Sequence, residues 1–409
     1  MGQRLLVGAA SPFKFKDLKR VYISFLFLIN LFFNGCSSDD PQPAEPELPG
    51  DDNDYYFGVD LSYVNQILDY GGEFRDNGVV QDPYSIFADA GANLARFRLW
   101  HNPVWTKEVY EPDGVQMYND VADVTKSITR AKASGMDVLL DFHYADRWAD
   151  PGAQPVPAAW RDISALDILA DSVYEYTKKT LTHLKANGLL PTMVQLGNET
   201  NCGMLYSDVS TSFPAMNVCD GNWANLGVVL NAAIRAVREV TVDETKIILH
   251  VADPKNIEWW FDNVISKGAV HDFDIIGISY YPLWHTTVTL ENISNRVSSF
   301  KRRFQKDVMI LETAYPWTME SADSYNNVFG DDQPLSGFPF TQQGQHDFMV
   351  KLNQEVIDGG GIGVIYWEPA WITSNMKDLW GTGSSWENVT LFDFEGNRHK
   401  GMDYMKFAY

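Results

Sequence analysis

The amino-acid sequence predicts an α/β protein in which a single domain folds as a (β/α)8 TIM barrel. Eight short runs rich in β-forming residues alternate with segments long enough for a helix, without a repeat or linker from Tyr55 onward. Length agrees, because residues 55–409 suffice for a barrel of about 250 residues with long loops. The predicted strands are Tyr56–Asp60, Leu94–Trp100, Asp137–Tyr144, Met193–Glu199, Ile247–Asp253, Asp274–Pro282, Val308–Tyr315 and Gly363–Pro369.

The segments between these runs carry helix signals that end at glycine. Asp123–Ser134 precedes Gly135, and Asp167–Asn187 precedes Gly188, as expected where a glycine stops a helix before the next strand. An open, doubly wound sheet is the alternative architecture. The sequence disfavours it, because no Gly-x-Gly-x-x-Gly motif follows the first strand.

The composition favours a neutral ligand. The 409 residues carry a formal net charge of −22 with a pI near 4.6, so the chain lacks the basic stripe that nucleic-acid binding requires. Polyanionic ligands would be repelled for the same reason, and a neutral polymer fits better. Aromatic residues make up 13% of the chain, which suits either a carbohydrate cleft or an ordinary large core.

The N-terminus predicts export. Basic residues between Arg4 and Arg20 precede the apolar run Val21–Phe33, which is followed by Asn34–Cys36. This order resembles a bacterial lipoprotein signal, in which Cys36 becomes the lipidated first residue. A membrane anchor is the alternative, but the apolar run is shorter than the ~20 residues that span a bilayer.

We therefore expect residues 1–36 to be a signal segment, residues 37–54 to be a flexible tether rich in proline and acidic residues, and residues 55–409 to be the barrel domain. The protein would be an exported, monomeric lipoprotein of the outer membrane or cell surface that meets the membrane only through its N-terminal lipid. In an oxidising compartment Cys202 and Cys219 are candidates for a disulfide, with two free buried cysteines as the alternative.

Functional side chains collect at the C-terminal ends of the predicted strands, which form the ligand-binding face of a barrel. Glu199 closes the fourth strand and Glu312 closes the seventh. Glycoside hydrolysis needs such a pair, with one carboxyl protonated and the other ionised. Asp141, Asp253 and Glu368 compete for these roles, and spacing alone does not choose among them.

At these positions the sequence resembles the retaining barrel glycosidases of clan A, which carry an Asn-Glu acid/base motif on strand four and a glutamate nucleophile on strand seven. More narrowly, from about Tyr56 to Phe407 it resembles glycoside hydrolase family 53, the arabinogalactan endo-β-1,4-galactanases. The motifs that carry the resemblance are Phe57–Tyr63, Arg96–Pro103, Asp141–Pro151, Gln195–Glu199, Glu312–Pro316 and Tyr366–Trp371. It implies a neutral galactan substrate and no cofactor for the chemistry.

The resemblance implies that Glu199 is the general acid and then the base, and that Glu312 is the nucleophile. Arg96 or Arg98 would keep Glu312 anionic, and both lie on one face of their strand, so the choice stays open. Retention requires the two carboxyl groups to lie about 5–5.5 Å apart. The further substrate contacts that we expect are Asp60, His143, Asp146, Trp148, Asn198, Asp253, Tyr280, Trp317 and Trp367.

Some of these contacts carry a specific expected role. Asn198 would bond the sugar 2-hydroxyl, and Trp367 would form the floor of the cleavage subsite. His143 and Tyr280 would orient the carboxylate and the substrate. The alternatives are another clan A glycanase, such as a mannanase or xylanase, and a non-catalytic glycan-binding surface lipoprotein.

A structural calcium ion is a further implication of the resemblance. Asp323 and Asn327 remain as oxygen ligands in the loop after the seventh strand. Ser321 and Tyr325 stand where stronger ligands are expected, so the sequence predicts a weakened site.

Overall fold

The structure, a computed structural model, describes residues 55–242 and 244–409. The predicted signal segment, the lipidation site Cys36 and the predicted tether lie outside the described residues. Within the described ranges, none of the helices combines the length and the apolar character that crossing a membrane requires.

Eight parallel strands close into a barrel in chain order, with the last strand pairing to the first, and this confirms the predicted fold class. Most predicted strands extend beyond the observed C-terminal ends, because the chain turns there. After β4, for example, Gly197 and Glu199 adopt φ values of 83° and 45°, which no strand can accommodate. The strands are β1 (Tyr56–Asp60), β2 (Leu94–Leu99), β3 (Asp137–Phe142), β4 (Met193–Leu196), β5 (Lys246–Ala252), β6 (Ile275–Ser279), β7 (Asp307–Thr313) and β8 (Gly363–Tyr366).

Helices surround the barrel. Two of them, α4 (Val121–Ala133) and α5 (Leu166–Ala186), cover the predicted segments, and each is soon followed by a glycine with positive φ, Gly135 or Gly188. The N-terminus of α4 is capped by the Asp120 carboxylate. The remaining helices are α1 (Val64–Asp69), α2 (Pro83–Ala90), α3 (Trp105–Glu108), α6 (Trp223–Thr241), α7 (Ile257–Ser266), α8 (Ile293–Phe304) and α9 (Gln342–Asp358).

The barrel interior has an apolar layer below a polar layer. Because side chains alternate along a strand, the residue two positions beyond an inward-facing apolar residue also faces inward. The apolar layer contains Leu94, Leu139, Met193, Ile248, Ile275, Met309, Leu311, Ile362 and Ile365. Two positions after the members on β2 to β5, the buried polar residues are Arg96, Asp141, Gln195 and His250. The polar groups of these strands therefore lie directly above a packed apolar layer.

A bulge in β7 places Glu312 toward the interior. Ile278 of β6 pairs with Ile310, but the next residue, Ser279, pairs with Glu312, so Leu311 is extra on the β7 side. The pairing with β8 shifts over the same stretch. Leu311 packs in the apolar layer, and regular alternation would then turn Glu312 outward. The bulge re-aims this carboxylate into the barrel mouth.

The loop after β4 is cross-linked. Cys202 and Cys219 form a disulfide with their Cα atoms 5.0 Å apart. The same loop is held next to the barrel by the indole of Trp260, which donates a hydrogen bond of 2.7 Å to the carbonyl of Thr200. The segment immediately after Glu199 is therefore tied at several points.

Candidate active site

A cavity of about 760 Å³ opens at the C-terminal ends of the strands. Glu199 and Glu312 both line it, so the two carboxylates that the sequence singles out share one site. The cavity lining also includes Arg96, Arg98, His143, Trp148, Asn198, Tyr281 and Trp367.

Glu312 is held from two sides. Its Oε1 atom lies 2.9 Å from Nη2 of Arg96, and its Oε2 atom accepts a 3.1 Å hydrogen bond from the Tyr281 hydroxyl. Only 6% of the residue is exposed, and Arg96 is 1% exposed. Both oxygens therefore have a donor that favours the ionised carboxylate.

Arg96 connects several strands below the cavity. Its guanidinium reaches Asp60 at 2.9 Å and Asp141 at 2.8 Å, and Nη2 donates to Oδ1 of Asn198 at 2.9 Å. Burial lowers the pKa of Arg96, but Asp141, Glu312 and Asp60 raise it further, so the side chain stays charged. Of the two arginines that the sequence left open, Arg96 is the one that contacts Glu312.

Arg98 serves a different carboxylate. It pairs with the fully buried Glu368 at 2.8 Å, and its guanidinium lies 4.1 Å from the ring centroid of Trp148 and 4.3 Å from that of Tyr63. Cation–π contacts of this kind fix an arginine between aromatic rings. Arg98 thus supports the aromatic wall of the cavity while its guanidinium pairs with Glu368.

Glu199 sits on a turn at the end of β4. Its backbone N–H donates to Nδ1 of His250 at 3.2 Å, and the Ser279 hydroxyl, which lies 2.8 Å from Nε2 of His250, lowers the pKa of its carboxyl group. Burial and the charge of Glu312 raise the pKa of Glu199 to about 8, which Ser279 and Arg96 partly offset. A carboxyl group with this pKa holds a proton at neutral pH.

The two carboxyl groups differ in their donors. Burial also raises the pKa of Glu312, to about 7, but Arg96 and Tyr281 pull it down. The pKa of Glu312 therefore remains below that of Glu199. Two neighbouring carboxyl groups titrate as a pair, and the group with the stronger hydrogen-bond donors loses its proton first. In this pair that group is Glu312.

His143 and Asn198 also line the cavity. His143 donates from Nε2 to Asp141 at 3.0 Å, while its Nδ1 accepts from the indole of Trp100 at 3.3 Å. Burial lowers the pKa of His143, which keeps it neutral. Asn198 donates one Nδ2 hydrogen to the carbonyl of Ala149 at 2.8 Å, which leaves its second N–H for a ligand.

Aromatic side chains form the walls. The Trp148 and Trp367 rings lie 5.8 Å apart, and Trp367 meets Trp386 edge to face at 4.7 Å. Farther along the cavity, Trp284 stacks on Phe329 at 4.2 Å and remains 41% exposed. These faces can pack against the C–H faces of sugar rings.

Two of the expected substrate contacts are wrong. The hydroxyl of Tyr280 donates to the carbonyl of Val288 at 2.9 Å, and Tyr281 is the tyrosine that reaches the cavity. Asp253 caps a short helix and pairs with Lys255 at 2.7 Å, away from the cavity lining. In both cases strand alternation turns the side chain away from the barrel interior.

Three other predicted contacts are structural in the described chain. Asp60 is fully buried and accepts from Ser62 and Arg96, below the cavity. Asp146 accepts backbone N–H groups of its loop, including that of Ala158 at 2.7 Å, and thereby shapes the loop. Trp317 donates from its indole to the carbonyl of Glu387 at 3.2 Å and does not line the cavity.

Of the two predicted calcium ligands, Asp323 is engaged by protein donors, whereas Oδ1 of Asn327 is buried without a hydrogen-bond partner among the described residues. Asp323 already accepts from the N–H groups of Tyr325 and Ser384 and from the hydroxyl of Thr373. Asn327 donates to Ser321 at 3.0 Å, so its amide is turned toward a hydroxyl. Among the described residues, no group of three or more His, Cys, Asp or Glu side chains is arranged to hold a metal.

Sequence reasoning missed Tyr281, His250, Ser279 and Gln195. All four lie at inward-facing positions, at two, four or six residues beyond an apolar interior residue of the strand that leads to them. The signal that could have found them is this period of two, counted from Ile248, Ile275 and Met193. The prediction instead took the last polar residues of each β-rich run as the functional residues.

A barrel whose mouth holds two carboxyl groups of unequal pKa between aromatic walls is the arrangement of a glycoside hydrolase. The family model of glycosyl hydrolase family 53 matches residues 56–405. The chain belongs to this family.

Relatives with known names support the same assignment. An arabinogalactan endo-β-1,4-galactanase of Cellvibrio japonicus is 42% identical over 346 residues, covering 84% of this chain and 88% of the relative. An endo-β-1,4-galactanase of Bacillus subtilis is 32% identical over 400 residues, covering 88% of this chain and 88% of the relative. Among solved structures, the GH53 catalytic domain of Ignisphaera aggregans aligns with a TM-score of 0.76 at 34% identity, covering 89% of this chain and 98% of that domain.

The two adjacent tyrosines provide a matched test of the site. Tyr281→Phe removes the hydroxyl donor to Glu312, and we expect kcat/KM for glycoside hydrolysis to fall by about 10- to 100-fold, since a donor at a reacting carboxylate is lost. Tyr280→Phe removes the bond to Val288, and we expect lower stability by about 1 kcal/mol with kcat/KM near wild type. Steady-state kinetics and urea unfolding measure these effects. Equal kinetic losses in both variants would contradict the placement.

Proposed function

We propose that the protein is an endo-β-1,4-galactanase that hydrolyses β-1,4-galactosidic linkages of galactan, including type I arabinogalactan, with retention of configuration. The convergence of Glu199 and Glu312 on one cavity carries the proposal. The substrate is supported by the names of the relatives from Cellvibrio japonicus and Bacillus subtilis.

In the first step Glu312 attacks the anomeric carbon while Glu199 donates its proton to the glycosidic oxygen. The bond between that oxygen and the anomeric carbon breaks, the distal part of the chain leaves as an alcohol, and a galactosyl ester of Glu312 remains. In the second step Glu199, now ionised, takes a proton from water as the water oxygen attacks the same carbon. Glu312 is released as a carboxylate and Glu199 is protonated again.

The contacts of the described residues support these roles. Arg96 and Tyr281 favour the ionised form of Glu312, which a nucleophile requires, and Glu199 has the higher pKa of the two, which an acid requires. Asn198 lines the cavity and uses one N–H for Ala149, and we assign its second N–H to the sugar 2-hydroxyl. Such a bond strengthens as charge develops at the anomeric carbon.

The cavity favours attack inside a chain. The rings of Trp148, Trp367, Trp386 and Trp284 follow one another with centroid separations of 5.8, 4.7 and 6.4 Å, and Trp380 also lines the cavity. This series of rings is longer than one sugar ring. Several sugar units would then bind on both sides of the scissile bond. The aromatic walls and the chain's excess negative charge both suit a neutral polysaccharide.

Hydrolysis of soluble galactan, mannan and xylan tests the substrate, with reducing-sugar release as the measurement. We expect release from galactan alone, with mixed oligosaccharide lengths at early times. Glu199→Ala and Glu312→Ala should each lower kcat on galactan by more than about 10³-fold, because an essential proton carrier or nucleophile is lost. Both alanine variants hydrolysing galactan at wild-type rates would refute the two assigned residues. Wild-type protein that binds galactan and releases no sugar would leave only a glycan-binding role, and preferred release from mannan or xylan would point to another glycanase.

Azide separates the two roles. With an activated aryl β-galactobioside, azide should rescue Glu199→Ala and yield the β-glycosyl azide, because the covalent intermediate still forms. Rescue of Glu312→Ala should yield the α-azide. The opposite stereochemical outcomes would reverse the assignment of the two residues.

The pH profile follows from the pKa order. Activity on galactan needs Glu312 ionised and Glu199 protonated, so kcat/KM should rise through an acidic limb set by Glu312 and fall through an alkaline limb near pH 8, the pKa to which burial and Glu312 raise Glu199. Glu199→Gln, assayed on an aryl glycoside whose leaving group needs no proton, should lose the alkaline limb and keep the acidic one. An alkaline limb that survives in Glu199→Gln would contradict the acid assignment.

We further propose that residues 1–36 direct export as a lipoprotein, that Cys36 carries the lipid, that residues 37–54 form the tether, and that the enzyme is a monomer. The order of basic, apolar and small residues before Cys36 supports the anchor.

Labelled palmitate tests the lipid anchor. When the protein is expressed in a bacterium fed this label, the wild-type chain and Ser37→Ala should take up label and Cys36→Ser should not. Light scattering of the detergent-extracted chain checks the monomer. Label retained by Cys36→Ser would refute the anchor.

A further inference from the structure

The peptide unit between Asn198 and Glu199 is hydrogen-bonded to buried side chains at both of its polar atoms. The carbonyl of Asn198 accepts a 2.8 Å hydrogen bond from Nε2 of Gln154. The N–H of Glu199 donates to Nδ1 of His250 at 3.2 Å. Gln154 is 2% exposed and His250 is fully buried, so both bonds are shielded from water. Neither of these two side chains takes part in the catalytic steps proposed above.

At this peptide unit the chain has left the regular strand geometry of β4. Glu199 has a φ of 45°, a value that a residue with a Cβ atom rarely adopts and that persists where surrounding contacts fix it. In a regular strand, consecutive side chains point to opposite faces of the sheet. Here Asn198 and Glu199 both line the cavity. The unusual backbone conformation therefore accompanies the delivery of two consecutive side chains to one site.

The two bonds act on the rotation of the peptide unit. A peptide group is planar, so its rotation changes ψ of Asn198 and φ of Glu199 together. The carbonyl and the N–H of a trans peptide point in opposite directions, and bonds to both resist that rotation. The carbonyl of Glu199 also lies 3.4 Å from Nε2 of Gln154. Since backbone carbonyls can only accept, the amide nitrogen of Gln154 must be the atom that faces them.

Gln154 is itself held in place by the surrounding loops. Its Nε2 atom also donates to the carbonyl of Asp150 at 3.0 Å. Its backbone N–H donates to Oγ of Ser207 at 2.9 Å, and its carbonyl accepts from the N–H groups of Tyr206 and Ser207 at 3.0 and 2.9 Å. Both of these residues belong to the disulfide-linked loop after β4. The amide of Gln154 is thus presented to the turn from a fixed backbone.

We infer that Gln154 is a positioning residue for the acid/base, because its amide, with His250 on the opposite side, fixes the peptide unit that presents Glu199 to the glycosidic oxygen. The inference rests on the proposed role of Glu199. A general acid must lie within hydrogen-bond reach of the atom that it protonates, and a small displacement lowers the rate. The donors to Glu312 are Arg96 and Tyr281, so loss of Gln154 should impair proton donation more than nucleophilic attack.

The test compares two substrates that differ in their need for the proton of Glu199. Gln154→Met keeps the length of the side chain and removes the donor, so kcat/KM on galactan should fall by about 10- to 100-fold. On a dinitrophenyl β-galactobioside, whose leaving group needs no proton, kcat/KM should stay within about twofold of wild type. Gln154→Asn keeps the amide on a side chain that is one methylene shorter, and should show the same difference between the substrates.

Asn353→Leu is the matched control. Asn353 is fully buried, its Nδ2 atom donates to the carbonyl of Met349 at 2.8 Å, and its Oδ1 atom accepts from the Tyr55 hydroxyl at 3.0 Å. Tyr55 precedes β1 and therefore lies at the end of the barrel opposite the cavity. This variant also loses buried amide bonds, so it should lower Tm as Gln154→Met does and leave kcat/KM on both substrates near wild type.

A second measurement does not depend on activity. Hydrogen exchange of the full chain, read by mass spectrometry of the peptides that contain Glu199, should be faster in Gln154→Met and unchanged in Asn353→Leu, because only the first variant frees the turn. An unchanged ratio of the two kcat/KM values in Gln154→Met, or unchanged exchange around Glu199, would overturn the inference. A wild-type enzyme that leaves galactan intact would instead refute the proposed function, and the exchange would still test the hold of Gln154 on the turn.

Discussion

One buried cation faces three carboxylates at the centre of this molecule. Arg96 contacts Asp60, Asp141 and Glu312 within 2.9 Å in a layer that is almost completely shielded from water. Breaking a buried charge network of this kind by removing the cation would leave uncompensated negative charge. The carboxylates outnumber the cation, so each also needs a neutral donor, and these donors are Ser62, His143 and Tyr281.

The same side chain joins distant parts of the barrel. Arg96 extends from β2 to partners on β1 and β3, to Gln195 on β4, and to Glu312 on β7. Because these strands close into a ring over a packed apolar layer, the position of Glu312 is fixed by groups from most of the barrel. The bulge at Leu311 completes this arrangement, since without the extra residue the carboxylate would turn toward the helices.

Much of this fold could be predicted from the sequence, because eight β-rich runs between helix signals permit few architectures. The carboxylate pair came from family resemblance, since Asp141 and Glu368 also lie at strand ends, and what distinguishes them in the structure is that they are fully buried and do not line the cavity. Tyr280 was predicted as a substrate contact because it lies at the end of a β-rich run. The alternation of side chains along that run, which places Tyr281 inward instead, was given less weight. The choice between Arg96 and Arg98 could not be made, because both face inward and differ only in height along the barrel axis. The bulge depends on pairing across two neighbouring strands, which no local pattern contains.

The chemical difference between the two glutamates arises from their donors. Both are buried and both have a raised pKa, so burial alone would give two similar acids. Glu312 faces a full positive charge and a phenol, whereas Glu199 faces the hydroxyl of Ser279 and the charge of Glu312 itself. An ionised Glu312 therefore raises the pKa of Glu199. In the proposed mechanism, esterification of Glu312 in the first step removes that charge, so the pKa of Glu199 falls and its ionised form is favoured. The proposed roles of Glu199 as acid and then as base are consistent with this coupling.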